Sequence, residues 1–65
     1  MRPYLFYRFT DGHAVPQLEI RELPSLDDAM LVGRNLLQED DRRIRVEIVS
    51  GDVEVARLER ETVSP

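Results

Sequence analysis

Few residues in this chain could do chemistry, and their spacing limits what they could do. His13 is the only histidine. It follows Asp11-Gly12, so Asp11 could orient or charge its imidazole. A general base needs a substrate pocket and an orienting partner, and two ligands do not make a metal site. The plain reading of His13 is an exposed turn residue. Glu39-Asp40-Asp41 could attract a divalent cation, but oxygen-only sites need about six ligands or more. No calcium-loop spacing with its glycine occurs, so a solvated helix exit accounts for the cluster. Asp27 and Asp28 resemble an acid pair, yet they stand where a helix begins and its dipole favours negative charge. With one His, no Cys and no Lys, too few groups are present to assemble an active site. The sequence therefore predicts no enzyme, no cofactor and no metal.

Arg42, Arg43 and Arg45 form the only local basic group. Together with Tyr4 and Tyr7 they suggest a single-stranded nucleic-acid surface, where bases stack on sheet aromatics above a basic groove. Asp40 and Asp41 adjoin these arginines, and Glu47 shares a strand face with Arg45. The formal net charge is −4. Sequence-independent nucleic-acid binding rests on neutralising phosphates, so pairing of these arginines with neighbouring acids across strands is the stronger reading.

Sixty-five residues allow one domain, residues 1–65. A domain near this size buries only about 60% of the surface its unfolded chain exposes, so its stability margin is thin. Such domains add disulfides, metals or a partner chain. The absence of cysteine excludes the first and any thiolate site, leaving a second copy as the source of extra burial. All nine basic residues are arginine. No apolar run approaches the ~20 residues of a membrane span, and the first residues lack a signal peptide's order of regions. A cytoplasmic, membrane-free location is expected.

The elements that position these groups are legible in the patterning. Residues 3–10 are dense in aromatics and read as a strand, with Leu5, Tyr7 and Phe9 on one face and Tyr4, Phe6 and Arg8 on the other. Asp11-Gly12 marks a reversal. Residues 14–22 form a second strand, placed at an edge because Pro16 lacks a backbone donor. Ser25 caps a helix, with Asp28 three residues on resembling a capping box. The helix is predicted over 26–39 from the stripe Leu26, Ala29, Met30, Gly33, Leu36 and Leu37. Leu31 and Val32 fall off that stripe. Gly33 on the buried face implies close approach of the helix to the sheet. Residues 43–49 give a third strand with Ile44, Val46 and Ile48 on one face, and Ser50-Gly51-Asp52 a second hairpin turn. In the fourth strand, 53–60, the apolar parity switches between Val53, Val55 and Ala56, Leu58, which points to a bulge or a register change. Residues 62–65 are expected to fray.

The fold class is α+β: a single domain, ββαββ, with a four-stranded antiparallel sheet and one helix packed on one face. The order 2-1-3-4 puts the two most apolar strands centrally. The order 1-2-3-4, with a right-handed parallel crossover, is the alternative. One helix covers one face only. Depending on which face of the first strand it covers, either Tyr4 and Phe6 or Tyr7 and Phe9 stay uncovered, together with Val49 in the first case. Exposed apolar patches mark interaction surfaces. The candidate interface residues are thus Tyr4, Phe6, Tyr7, Phe9, Leu31 and Val49, and the candidate function is a non-enzymatic interaction module. Its partners are a second copy or an unidentified protein. An antitoxin-like or inhibitor role through the acidic surface is the alternative, and single-stranded nucleic acid a second one.

The aromatic first strand ending in Asp11-Gly12, then Glu22-Leu23-Pro24, then a helix from near Leu26 with Ala29, then a strand–turn–strand tail, resembles a family of short uncharacterised bacterial proteins, a domain of unknown function. The resemblance spans nearly the whole chain. It implies no activity, cofactor or functional residue. A fainter similarity is to small antitoxin domains that place strands before a helix and a final strand.

Overall fold

A computed structural model describes residues 1–60. The expected frayed end, 62–65, lies outside the described residues. The elements run β1 (Arg2–Thr10), β2 (Gln17–Leu23), α1 (Leu26–Glu39), β3 (Arg43–Ser50) and β4 (Val53–Glu59). The sheet order is β2-β1-β3-β4, with every neighbouring pair antiparallel. The two hairpin turns each carry a glycine at positive φ, Gly12 at 85° and Gly51 at 64°. β2 begins at Gln17 rather than at residue 14. No helix among the described residues is long and apolar enough to cross a membrane.

The helix starts where Ser25 accepts a hydrogen bond from the Asp28 backbone N–H at 3.4 Å. The Ser25 hydroxyl in turn donates to Asp28 Oδ2 at 2.9 Å. Asp27 and Asp28 fill the acidic first turn. The stripe buries Ala29, Gly33 and Leu36 against Tyr4 and Phe6 of β1 and Val46 and Ile48 of β3. Leu23, Met30, Val32, Leu37, Ala56 and Leu58 pack around this core. Leu26, at the first helical position, stays outside it. Gly33 does permit a close approach: a Cβ there would lie 2.8 Å from Leu58 Cδ1 and 3.1 Å from Ile48 Cδ1.

Two bulges set which side chains reach the helix. Between β3 and β4 the register moves from Ile48↔Ala56 to Val49↔Glu54, so Val55 is the extra residue and Ala56 and Leu58 face inward. This is the irregularity the β4 parity predicts. Between β1 and β3 the register moves from Phe9↔Arg45 to Thr10↔Arg43, so Ile44 is the extra residue. The sequence puts Ile44 on the buried face with Val46 and Ile48; the structure corrects this. Ile44 is exposed, and Arg43 takes the inward position beside Thr10.

Candidate protein-interaction surface

The first strand resolves its own ambiguity through register. Phe6 pairs with Ile48 and Arg8 with Val46, and both partners lie under the helix. Residues paired across antiparallel strands share a face. Tyr4 and Phe6 are therefore core residues, at 4% and 0% exposure, and leave the set of candidate interface residues. Leu5, Tyr7 and Phe9 take the helix-free face, where Leu5 pairs with Val49 and with Ile20, and Tyr7 with Leu18. Leu31 is exposed on the helix, on the opposite side of the sheet, and does not join Tyr7, Phe9 and Val49.

The helix-free face has two unlike halves. Across β1 and β2 it carries Leu5, Tyr7, Phe9, Leu18 and Ile20, with no charged side chain between them. Leu18 is 50% and Ile20 61% exposed, where residues 18–20 on a fully covered strand would be dry. The sequence signal for these two was their alternation with Glu19 and Arg21; the β2 dry face was legible, but not that nothing in the chain covers it. Val49 extends the apolar half onto β3.

Across β3 and β4 the face is ionic. Arg45 Nε lies 3.0 Å from Glu47 Oε2, and its guanidinium sits 4.1 Å from the centre of the Phe9 ring, a cation–π contact. Arg57 Nε lies 3.7 Å from Glu47 Oε2 and 3.2 Å from Glu54 Oε1. The hydrogen bond to Glu54, then its charge, raises the Arg57 pKa above the ordinary value. Glu59, opposite Arg45, completes the group.

The other candidate residues are dispersed. His13 is exposed after the β1–β2 turn, its backbone N–H donating to Thr10 O at 3.1 Å. Asp40 accepts from the Arg42 backbone N–H at 2.9 Å, and this bond holds its carboxyl below the ordinary range. Arg42, Arg43 and Arg45 do not form one groove. Arg42 pairs with Asp40 at 3.6 Å, Arg43 is buried, and Arg45 lies over Phe9. Tyr4 and Tyr7 face opposite sides of the sheet. Among the described residues there is no cavity, and no group of three or more His, Cys, Asp and Glu side chains close enough to hold a metal.

Sequence reasoning missed one polar cluster. Arg43 Nη1 donates to Leu36 O at 2.6 Å, and Arg60 Nη2 donates to Leu37 O and, at 3.0 Å, to Asp40 O. Arg60 Nε also donates to Arg43 O at 2.8 Å. The last turn of α1 contains no basic residue. Two arginines from β3 and the end of β4 supply the cations and donors that its carbonyls lack. The signal was there: a helix ending in Glu39-Asp40-Asp41 needs positive charge from elsewhere.

Compared with protein-family models, with curated proteins and with solved structures, the chain matches none.

Proposed function

We propose that this chain is a small, non-enzymatic interaction module that pairs with a second copy of itself through the helix-free face of its sheet. The observation that carries this is the apolar half formed by Leu5, Tyr7, Phe9, Leu18 and Ile20, open on a four-stranded sheet whose other side alone is covered. Contiguous apolar surface of this kind marks an interaction site. A domain with so small a core gains most from burying it.

Charge favours a second copy as the occupant. At −4 two copies of the chain carry the same net charge and repel at long range. The apolar half meets charge only at its margins, at Arg45 over Phe9 and at Glu22 beside Pro3, and the ionic half carries both signs, so this face has a register in which opposite charges of two copies meet.

Sedimentation equilibrium from micromolar to high micromolar concentration tests the proposal. A concentration-dependent dimer is expected, and Ile20→Asp is expected to shift it to monomer with an unchanged circular dichroism spectrum. Wild-type protein that stays monomeric throughout that range removes the proposal.

A further inference from the structure

The two halves of the helix-free face also constrain how a second copy sits on it. This step rests on the self-association proposed above. With strands about 4.8 Å apart and about 3.3 Å per residue, four strands of seven residues offer roughly 450 Å² of flat surface per copy. A pair then covers roughly 900 Å², below the ~1,200–2,000 Å² of a stable specific interface and within the range of weak ones. Sliding one copy sideways by a strand forfeits a quarter of that, so the two sheets must overlap fully.

Full face-to-face overlap leaves two twofold axes lying in the interface. An axis parallel to the strands sets β2 over the partner's β4. Leu18 and Ile20 would then lie against Glu54, Arg57 and Glu59, burying charge against apolar side chains at a cost of desolvation. An axis across the strands sets each strand over its own mate, apolar half on apolar half.

The register of the ionic half fixes where that second axis passes. Successive residues on one face are about 6.6 Å apart along a strand. An axis through the row Leu18–Tyr7–Glu47–Arg57 would bring Glu54 over the partner's Glu59 and Arg57 over the partner's Arg57. An axis between that row and the row Ile20–Leu5–Val49–Glu54 brings Glu54 over the partner's Arg57, and the reverse, twice. It also sets Ile20 over the partner's Leu18 and Leu5 over the partner's Tyr7, and confines the meeting of charge with an apolar side chain to Val49 over the partner's Glu47. We infer that the second copy packs face to face about a twofold axis running across the strands between these two rows.

The chain has no cysteine, so single-cysteine variants report position unambiguously. Leu18→Cys on β2 and Arg57→Cys on β4, both exposed, are treated separately and mixed with a short bismaleimide. Both variants alone are expected to shift from the monomer band to a cross-linked dimer, while Leu31→Cys on the helix gives none. Cross-linking at only one of the two sites signals edge-to-edge pairing and overturns the inference. Cross-linking only in the mixed sample signals the axis parallel to the strands and overturns it too. A dimer by sedimentation that links at neither site places the contact elsewhere and likewise overturns it. In all three cases self-association stands. A chain that is monomeric by sedimentation fails the earlier proposal instead.

Discussion

Arg43 reaches from β3 to the last turn of α1 and donates to the Leu36 carbonyl oxygen at 2.6 Å. The bulge at Ile44 makes this possible, because it turns Arg43 toward the helix where strict alternation would turn it away. Glu39, four residues before Arg43, lies 3.5 Å from the same Nη1. Hydrogen bonds from a charged donor contribute about 1.5–3 kcal/mol. Arg43 Nε is buried without a partner, which subtracts from that gain. Arg43→Met keeps the stem and removes the orphan, so it is expected to cost only about 1 kcal/mol. Arg43→Ala also loses the stem packing and is expected to cost about 2–3 kcal/mol. Urea unfolding of both variants checks the ranking; equal losses would show that the stem does not matter.

Arg60 serves the neighbouring carbonyls. Its donations to Leu37, Asp40 and Arg43 tie the end of β4 to the helix exit. Arg60→Gln is expected to destabilise by about 1–3 kcal/mol, since several part-buried acceptors lose a charged donor together. Combined with Arg43→Met the losses are expected to be non-additive by about 0.5 kcal/mol or more, because both side chains act on one helix end. A double-mutant cycle that closes to zero would show that the two caps are independent.

Gly33 tests the helix–sheet spacing. Gly33→Ala gains about 1 kcal/mol of helix propensity. Its Cβ pushes on Leu58 Cδ1, the far end of a flexible side chain on an edge strand, which can rotate away, and on Ile48 Cδ1, which must give by a few tenths of an ångström. The alanine variant is therefore expected to lie within about 0.5 kcal/mol of wild type. Gly33→Val adds branches that press further on both neighbours, and is expected to cost about 1–3 kcal/mol. Thermal melts separate the two outcomes. A strongly destabilising alanine would mean that Leu58 is held rigidly.

The helix bounds, the strand order and the close approach at Gly33 were all legible, because each has a local cause. Ser25 caps, the stripe repeats, and the charged end of β4 marks an edge; Pro16 lies just before β2 and not in it. The covered face of β1 was not legible. Its two parity sets, Leu5/Tyr7/Phe9 and Tyr4/Phe6/Arg8, are both large and, Arg8 apart, apolar, and only the long-range pairing of Phe6 with Ile48 decides between them. Ile44 misled for a different reason. Ile44, Val46 and Ile48 alternate without interruption, and no glycine or proline announces the bulge that ejects the first of them. Of the candidate surface, Tyr7, Phe9 and Val49 were found from sequence and lie on the helix-free face. Leu18 and Ile20, which expose the most apolar area there, read only as the dry side of an edge strand.

That bulge makes a sharp contrast between two isoleucines. Ile48 is fully buried, and Ile48→Ala is expected to cost about 2–5 kcal/mol, enough to unfold much of a small domain. Ile44 is 51% exposed, and Ile44→Thr is expected to change stability by no more than about 0.5 kcal/mol. Chemical denaturation of both variants checks this, and a large loss at Ile44 would place it in the core with Val46.

The acidic limb of the stability curve rests partly on Asp40. Its carboxylate accepts the Arg42 backbone N–H, which lowers its pKa, and the charges of Arg42 and Arg43 add to the effect. A group whose folded pKa is depressed stabilises the fold above its unfolded value and loses that contribution as pH falls through the folded one. The stabilisation is thus complete above the ordinary carboxylate range, near pH 4, and fades as the solution is acidified below it. Asp40→Asn retains a side-chain oxygen for the Arg42 N–H but cannot titrate there. Melting temperatures from pH 7 down to pH 2 are expected to fall less steeply in Asp40→Asn than in wild type below about pH 4. Parallel curves through that window would show that the bond to Arg42 does not distinguish the charged carboxylate from the neutral one.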